Sequence, residues 1–399
     1  MARPAGRSRN IRCACPALFP VSTVRKPDPL IIGAGPAGCA AAITLARGGA
    51  GVLVIDRDEV PGDPLCGGFL SWRTLAQLRE LGVDAAALGG HRVERLRIFA
   101  GNRVAEIPLP HAALGLSRHA LDTALRTVAR AEGAEFAQAT ISELRDGCAV
   151  SRTDEWSAES IFLASGKRDL RGAKRPPVSA DPALGLRLRL PPAPQRTELL
   201  AGTIELHLFR GGYAGIVLQE GGTANICLAL RRSALARAGN SRSGLLASLA
   251  EDSPAFAERL GEDWRELRID TISAVPYGWI ARTTRPGLFR LGDQAAVIPS
   301  LAGEGIGIAL ASGQIAASHW LQGGSDAAPG YQRAFAAAAL PPVRWGRIIR
   351  ELIESPQGAQ MAVLAANFAP SLAASLAQRT RIAAPSPALA ALAPQRGAA

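Results

Sequence analysis

The chain has 399 residues, 48% of them hydrophobic and 20% charged, which favours a globular protein with a large core and excludes a disordered chain. The formal net charge is +11, but residues 1–28 hold six basic residues against one acid, and no basic helix follows, so no nucleic-acid partner is expected. Six cysteines without disulfide or zinc spacing predict a reducing, cytoplasmic location and no metal site.

The first 28 residues show no pattern of a folded segment. Their apolar stretch, residues 16–21, is short and contains two prolines, which is too little for the core of a signal peptide. We expect a disordered or spurious basic extension, with the fold beginning at residue 29.

A glycine-rich signature follows the first predicted strand, residues 30–32. It leads into a predicted helix at 36–47, and a helix N-terminus behind a tight turn can meet a pyrophosphate with its backbone N–H groups and its dipole. A second strand, 52–55, ends in an acid where a carboxylate would bind a ribose. The pattern predicts a dinucleotide site made of Gly33, Gly35, Pro36, Ala37, Gly38 and Asp56.

The following elements continue a doubly wound α/β unit. A Cys-Gly-Gly loop at 66–68 leads to a helix that Ser71 caps and Gly82 ends, and an amphipathic helix is predicted at 117–131. Strands are predicted at 93–100 and 104–109, and three further strands return the chain to the nucleotide sheet at 135–139, 149–152 and 160–164.

Between residues 171 and 267 the apolar pattern alternates with period two, which predicts an antiparallel sheet. Glu205 and His207 alternate with leucines there, and they are merely solvated if their face points outward. The predicted elements of this region are strands at 184–190, 203–208, 214–219 and 224–230 and a helix at 233–250. Two further strands, at 272–280 and 288–291, follow the region.

A second glycine signature begins about 260 residues after the first, with the pair Gly292-Asp293. A nicotinamide-only dehydrogenase would need the first signature but not the second, so the two together indicate FAD. The chain beyond this point is mostly helical, and residues 384–399 are expected to form a disordered Ala/Pro tail. The second signature comprises Gly292, Asp293, Pro299, Gly303, Gly305, Ile306 and Gly307.

Residues 355–378 carry no charge and are long enough to span a bilayer. Their alanine-rich composition, with two prolines and several amide side chains, favours two short packed helices instead. Peripheral contact with a membrane stays open as an alternative.

These motifs resemble the flavoprotein monooxygenase and geranylgeranyl reductase superfamily, which includes para-hydroxybenzoate hydroxylase, over roughly residues 29–321. The resemblance implies an α/β fold with a Rossmann-like FAD-binding domain of the glutathione reductase type, at 29–84, 112–172 and 270–325. It also implies an inserted antiparallel β-sheet substrate domain, at 85–111 and 173–269, and C-terminal helices at 326–383.

The resemblance further implies roles for single residues. The first glycines would hold the FAD pyrophosphate, Asp56 the adenosine ribose and Asp293 the ribityl chain, while the segment from Pro299 to Gly307 would face the flavin ring. Three other matches to cofactor-binding positions are Arg118, Gly166 and Gly67. Catalytic candidates, each with an ordinary structural role as the alternative, are Cys66, Tyr213 and Tyr277.

Aromatic hydroxylases of the superfamily carry an Asp-Gly pair at the position where this chain has Ser165-Gly166. The mode of flavin reduction, by NAD(P)H or another donor, is therefore left open. The favoured function is monooxygenation of a hydrophobic aromatic, polyketide or quinone-like small molecule. The alternatives are reduction of isoprenoid double bonds, as in geranylgeranyl reductases, and a non-catalytic flavin-binding electron carrier. No oligomeric state is predicted.

Overall fold

The computed structural model describes residues 28–145, 147–176 and 179–382. The predicted basic extension, apart from Asp28, and the predicted tail lie outside the described residues. In chain order the strands are β1 (Leu30–Ile32), β2 (Leu53–Asp56), β3 (Phe69–Leu70), β4 (His91–Ala100), β5 (Arg103–Gly115), β6 (Glu135–Gln138), β7 (Glu143–Arg145), β8 (Cys148–Val150), β9 (Glu155–Ser157), β10 (Ile161–Leu163), β11 (Ala183–Leu190), β12 (Thr203–Phe209), β13 (Gly212–Leu218), β14 (Ala224–Arg231), β15 (Asp270–Val275) and β16 (Leu288–Arg290). The α-helices are α1 (Pro36–Arg47), α2 (Trp72–Glu80), α3 (Arg118–Ala131), α4 (Pro194–Leu200), α5 (Arg232–Arg237), α6 (Arg242–Asp252), α7 (Pro254–Leu260), α8 (Gly305–Gly323), α9 (Ala328–Ile353), α10 (Pro356–Phe368) and α11 (Pro370–Arg379).

The first layer is a parallel sheet with the strand order β16-β10-β1-β2-β6. Its central strands are short apolar runs that are buried on both faces, as expected for a sheet covered by helices on each side. Helix α1 packs tightly on α8, because Gly313 lies against the Ala37 carbonyl where a Cβ atom would clash. The strand order reverses beside β1, and ligands of such sheets bind at that point, beyond the carboxyl ends of the strands.

The second layer is a larger sheet with the order β15-β11-β14-β13-β12-β4-β5-β3, antiparallel except where β12 runs parallel to β4. One face packs on helices α6 and α7 through a core that includes Leu228, Leu246 and Phe256. The opposite face looks toward the parallel sheet. The fold class predicted from the sequence is therefore confirmed: a Rossmann-like parallel sheet, an antiparallel sheet and C-terminal helices.

The C-terminal helices close one side of the space between the two layers. Helix α10 lies on β4 and β5, and it also contacts α9 and α11. Within the part of the chain that the structure describes, no helix is both long enough and apolar enough to cross a membrane.

Most predicted elements are confirmed, including helix 36–47 to the residue and the cap of α2 by the Ser71 hydroxyl. The helix predicted at 117–131 begins one residue later, because the Ser117 hydroxyl caps it. Strand 149–152 is assigned wrongly to the nucleotide sheet, because β8 pairs only with β7 and β9 in a small separate sheet. The predicted helix 233–250 is broken into α5 and α6, since Gly239 and Asn240 adopt left-handed conformations. Strand 272–280 ends earlier, at Val275.

Candidate functional site

A cavity of about 1100 Å³ lies between the carboxyl ends of the parallel strands and the inner face of the large sheet. This volume is at the upper limit of small-molecule sites, so it has room for a dinucleotide and part of a second molecule. Three residues predicted for the site, Gly38, Pro299 and Gly307, lie behind its lining. The predicted residues that line it are Gly33, Gly35, Pro36, Ala37, Asp56, Cys66, Gly67, Arg118, Gly166, Tyr213, Tyr277, Gly292, Asp293, Gly303, Gly305 and Ile306.

The first glycine turn is shaped by close contacts. Gly33 has a φ of 102°, and a Cβ atom there would clash with the Ala164 carbonyl at the end of β10. A Cβ atom at Gly38 would clash with the Gly33 carbonyl, so this glycine lets α1 approach the turn. At Gly35 the only neighbour is the Arg118 Nη2 atom, 3.3 Å from the Cβ position. The turn therefore presents open backbone and the positive end of the α1 dipole to the cavity.

Asp56 ends β2 at the edge of the cavity. Its Oδ2 accepts a hydrogen bond from the Ala34 N–H at 2.7 Å, and its Oδ1 accepts one from the Asp58 N–H at 3.0 Å. The Oδ1 atom also pairs with Arg126 Nη2 at 3.1 Å. These donors fix the carboxylate beside the glycine turn, at the position where the ribose is predicted.

Arg126 is a contributor that the sequence analysis missed. Its side chain is only 6% exposed, and it donates hydrogen bonds to the carbonyls of Ala34 at 3.1 Å and Asp58 at 2.6 Å in addition to its pair with Asp56. One arginine thus ties the glycine turn, the ribose-side acid and the next loop together. Arg126 lies eight residues after the predicted Arg118, so the two arginines share one face of α3. This spacing could have predicted its role from the sequence.

Arg118 lies beside the glycine turn and makes a bidentate pair with Asp122 at 2.9 and 2.7 Å. Burial alone would lower the pKa of the Arg118 guanidinium, but the Asp122 carboxylate outweighs burial and raises that pKa. The guanidinium therefore keeps its charge next to Gly35. This geometry is suited to a phosphate contact, which stays a prediction.

The second glycine signature meets the first at the start of α1. Gly292 has a φ of 54°, and a Cβ atom there would lie 3.2 Å from the Ala37 methyl group. The Gly292 N–H donates to the Ser312 hydroxyl at 2.8 Å, and the Asp293 carbonyl accepts from Arg175 Nη1 at 2.8 Å. Both signatures therefore line one cavity, although they are far apart in the chain.

The loop after β10 is held against the second signature by two residues that the sequence did not single out. Arg175, which is buried, pairs through Nε with Asp169 at 2.7 Å. Gln294 donates through Nε2 to the Gly166 carbonyl at 2.9 Å. Since Arg175 also holds the Asp293 carbonyl, the predicted nucleotide-facing loop and the Gly-Asp pair form one connected unit.

The start of α8 faces the cavity. Gly303 has a φ of 62° and lies against the Phe69 ring, and a Cβ atom at Gly305 would meet open space. Because Gly303 and Gly305 lack side chains and lie at the start of α8, the backbone N–H groups and the positive end of the helix dipole are exposed to the cavity. Such a helix start would stabilise negative charge on a flavin ring placed there.

Glu304, between these glycines, is fully buried. Its Oε2 accepts hydrogen bonds from the Ser71 hydroxyl at 3.0 Å and from Arg381 Nη1 at 2.6 Å. Burial raises the pKa of the Glu304 carboxyl, and the Arg381 charge and the two hydrogen bonds offset only part of that rise. The last described turn of the chain is thereby tied to the start of α8.

The Cys66 loop is fixed by Asn225 of β14. The Asn225 Nδ2 donates to the carbonyls of Cys66 at 3.1 Å and Gly67 at 2.9 Å. Gly68 has a φ of 71°, and its N–H points to the Cys66 sulfur at 3.5 Å. Cys227 lines the same cavity, and burial raises its pKa to about 12, so it is a neutral thiol at pH 7.

The two candidate tyrosines lie together in the cavity. The Tyr277 hydroxyl and the Ser300 hydroxyl are 2.5 Å apart, and burial raises the Tyr277 pKa to about 12. Burial also raises the pKa of Tyr213 well above its usual value. Among the described residues, no group forms a hydrogen bond with the Tyr213 hydroxyl. Both groups are therefore neutral at pH 7 and can donate hydrogen bonds.

Glu205 and His207 are not solvated, contrary to one reading of the sequence. Both are buried on the far face of β12, where Glu205 accepts hydrogen bonds from Arg97 at 2.7 Å, Arg259 at 2.9 Å and His207 at 3.0 Å. Burial alone would raise the Glu205 pKa, but the hydrogen bonds from His207 and Arg259 outweigh burial and lower that pKa. The cluster is structural, because this face packs on α7, and it does not line the large cavity.

The cavity fits FAD in three respects that the structure shows. The Gly33 turn with Arg118 suits a pyrophosphate, the Asp56 carboxylate suits a ribose, and the glycines at the start of α8 suit the edge of a flat ring. A family model described as an FAD binding domain matches residues 26–153. The chain therefore contains an FAD-binding domain and is an FAD-dependent oxidoreductase.

Within this class, menaquinone reductase from Mycolicibacterium smegmatis is 28% identical to the chain over 321 residues, which cover 74% of this chain and 77% of that protein. A geranylgeranyl bacteriochlorophyll reductase-like protein from Thermoplasma acidophilum has a similar structure, with a TM-score of 0.67, 18% identity and coverage of 88% of this chain and 98% of that one. PqsL from Pseudomonas aeruginosa, in complex with 2-aminobenzoylacetate, has a TM-score of 0.65, 17% identity and coverage of 84% and 98%. The two structures share the fold with this chain.

Proposed function

We propose that the protein is an FAD-dependent reductase of a quinone-like or prenylated lipid. The observation that carries this proposal is the wall of the cavity beyond Tyr277 and Ser300. Three adjacent strands, β4, β5 and β12, contribute aliphatic side chains to it, and the described lining residues of the large sheet include no charged side chain. These aliphatic residues are Leu96, Ile98, Ile107, Leu109, Ile204, Leu206 and Leu208.

Such a wall favours an isoprenoid or acyl chain. It disfavours a charged substrate, because a charge buried there without a partner would lose its hydration at a cost of about several kcal/mol. The sequence alone favoured oxygen insertion over reduction. The likeness to menaquinone reductase, which extends over about three quarters of both chains, now supports reduction.

FAD, when bound, supplies the two-electron chemistry, and the protein binds, orients and shields the reactants. The free Tyr213 hydroxyl can donate a hydrogen bond to a carbonyl oxygen of the lipid headgroup. The Tyr277 hydroxyl is already engaged with Ser300 and can add a second donor. Because the pKa values of both tyrosines are raised, they act as donors at pH 7 and not as bases. The aliphatic wall keeps water away from the reacting atoms.

Oxygen insertion into a hydrophobic aromatic or polyketide ring is the second candidate function. The observation that favours it is the Tyr277–Ser300 pair, which can accept as well as donate a hydrogen bond and so can hold a phenolic hydroxyl. NAD(P)H or another small reductant is the proposed electron donor for either reaction. The described cysteines are all free thiols, which supports a cytoplasmic site of action.

Anaerobic reduction of the FAD-loaded protein tests both candidates. NADH, NADPH and a reduced ferredoxin are offered in turn, and a short-chain menaquinone analogue or a long-chain phenol is then added with and without oxygen. A product heavier by two hydrogens, formed without oxygen, supports the reductase. A product heavier by one oxygen supports the second candidate, and flavin that no donor bleaches contradicts both.

Variants Tyr213→Phe and Tyr277→Phe separate binding from packing in this assay. Loss of one neutral hydrogen bond to the headgroup is expected to raise KM by about tenfold, since such a bond contributes roughly 1 kcal/mol or slightly more. FAD content should not change. Unchanged KM in both variants would remove the tyrosines from the proposed site.

A further inference from the structure

An exposed apolar surface surrounds one opening of the cavity. We call it the apolar rim and define it by residues of α9 and α10 with large exposed side chains: Ile348 (45% exposed), Leu352 (47%), Met361 (62%), Leu364 (39%) and Phe368 (85%). Met361, Leu364 and Phe368 follow the spacing i, i+3 and i+7, so they lie on one face of α10. Val104 of β5, 47% exposed, extends the rim, because the Asn367 side chain donates to its carbonyl at 3.0 Å.

The apolar rim is continuous with the cavity. Leu352, Met361 and Ala365 are exposed to solvent and also line the cavity, whereas Ala366 of the same helix lines it from a buried position. A ligand can therefore pass between α9 and α10 from the surface to the aliphatic wall without crossing a polar barrier. A single exposed apolar residue needs no explanation, but a group of them around the mouth of an apolar cavity does.

Positive charge flanks the apolar rim. From residue 355 to residue 378 there is no charged side chain, while Arg344 and Arg379 are exposed at its border and Arg103 precedes Val104. The Arg379 guanidinium lies 5.1 Å from the centre of the Trp345 ring, which brings α11 beside α9 at this border. Two exposed acids nearby are paired with arginines, Glu351 with Arg347 at 3.5 Å and Glu106 with Arg97 at 2.9 Å. An apolar centre with a basic border is complementary to an anionic lipid surface.

We propose that the apolar rim docks on the surface of an anionic lipid bilayer, with Met361 and Phe368 inserted among the acyl chains. The cavity would then open into the lipid phase, and a hydrophobic substrate would enter without passing through water. The inference of membrane docking depends only on the apolar rim and its basic border, whereas the use of docking for substrate access rests on the proposed function.

Sedimentation with sucrose-loaded vesicles tests the docking without any turnover. The FAD-loaded protein is mixed with vesicles of phosphatidylcholine alone or of phosphatidylcholine with about one fifth phosphatidylglycerol, at low and high salt. The protein should pellet with the anionic vesicles, and less so at high salt. Met361→Glu and Phe368→Glu should each lower the vesicle affinity by about tenfold or more, given the apolar area that each side chain would lose from the membrane.

Val60→Glu is the matched control, because Val60 is 69% exposed but lies in the loop after Asp56, at the nucleotide end of the cavity. It should bind vesicles as the unmodified protein does. Circular dichroism and FAD content show that each variant is folded. Equal pelleting of the rim variants and the control overturns the proposal, and so does an unmodified protein that stays in the supernatant with anionic vesicles.

Two further readouts separate related outcomes. Light scattering that shows a dimer in the unmodified protein and a monomer in Phe368→Glu, without vesicle binding, assigns the rim to a second copy of the chain and overturns membrane docking. Turnover of a water-soluble short-chain quinone should be equal in Phe368→Glu and the control, because neither Phe368 nor Val60 lines the cavity. If vesicles bind but no lipid is turned over, the docking holds and the proposed function fails.

Discussion

Gly35 is the residue at which the turn leaves most room for a ligand. A Cβ atom there would approach only the flexible end of Arg118, so the fold has no other need for a glycine at this position. We expect Gly35→Val to lower FAD affinity by at least about tenfold, or ~1.4 kcal/mol, because its methyl groups would occupy the pyrophosphate position.

Gly51→Val is the matched control, since Gly51 is exposed and a Cβ atom there would meet nothing within 4 Å. Flavin absorbance per protein and titration of the apoprotein with FAD measure the difference. Equal FAD affinity in the two variants would show that Gly35 does not face the pyrophosphate.

Residues that act through local chain geometry could be predicted from the sequence. Gly33, Gly38 and the cap Ser71 are of this kind, because a turn or a helix start dictates the residue type within a few positions. Arg175 and Asn225 could not be predicted in this way. The Asp293 carbonyl that Arg175 holds and the Cys66 carbonyl that Asn225 holds each lie more than a hundred residues away in the chain, and only the folded molecule brings them together.

At the scale of elements, α3 serves the nucleotide site through its buried row of charged residues. Arg126→Met would leave the Asp56 carboxylate without its cation and remove the hydrogen bonds that Arg126 donates to the carbonyls of Ala34, Asp58 and Glu59. Breaking such a buried pair is expected to lower the free energy of unfolding by about 3–5 kcal/mol.

Arg130→Met, one turn further along α3, is the control, because Arg130 is exposed and only covers the Phe136 ring. Its loss should cost about 1 kcal/mol or less. Chemical denaturation with and without FAD gives both values. Similar losses in the two variants would contradict the clamp assigned to Arg126.

We expect His207, buried on the far face of β12, to make the stability of the protein depend on pH. Burial lowers the pKa of His207 below 6.5, so the unfolded chain binds a proton that the folded chain resists. The stability that His207 contributes is fully present above pH 6.5 and is lost as the pH falls through the folded-state pKa, by up to about 1.4 kcal/mol per pH unit.

His207→Phe should remove this part of the acid sensitivity, whereas His111→Phe, at an exposed histidine, should keep it. Free energies of unfolding between about pH 7.5 and pH 5.5 provide the comparison. The prediction fails if His207→Phe and the unmodified protein lose stability with the same slope.

The helices were predicted best where a local feature marks their start, as the glycine turn does for α1 and the Ser71 cap does for α2. Pairing was harder to predict, because a short strand such as β8 has no local feature that distinguishes one sheet from another. The burial of His207 was also hidden, since alternation identifies two faces of a strand but not which one a helix will cover.

At the scale of the whole molecule, the last described turn supports the start of α8. Arg381 is buried, and its Nη1 donates at 2.6 Å both to the Ala302 carbonyl and to Glu304. The C-terminal helices therefore do more than cover the substrate cavity, because they also fix the loop that faces the predicted flavin ring. The sequence could not show this, since an arginine near the end of an Ala/Pro-rich segment has no local pattern.

Arg381→Met should leave the Glu304 carboxylate buried without its cation and lower the free energy of unfolding by about 3–5 kcal/mol at neutral pH. Since the Glu304 pKa is already raised, loss of Arg381 should raise it further, and protonation then relieves the unpaired charge. The deficit should therefore shrink as the pH falls from about 8 to about 5. Arg379→Met, at an exposed arginine, should lose little at any pH. Arg381→Met combined with Glu304→Gln should regain part of the stability and lose the pH dependence, because no buried charge is left to titrate. A deficit that is the same at both pH values would show that Arg381 contributes packing alone and does not compensate the charge of Glu304.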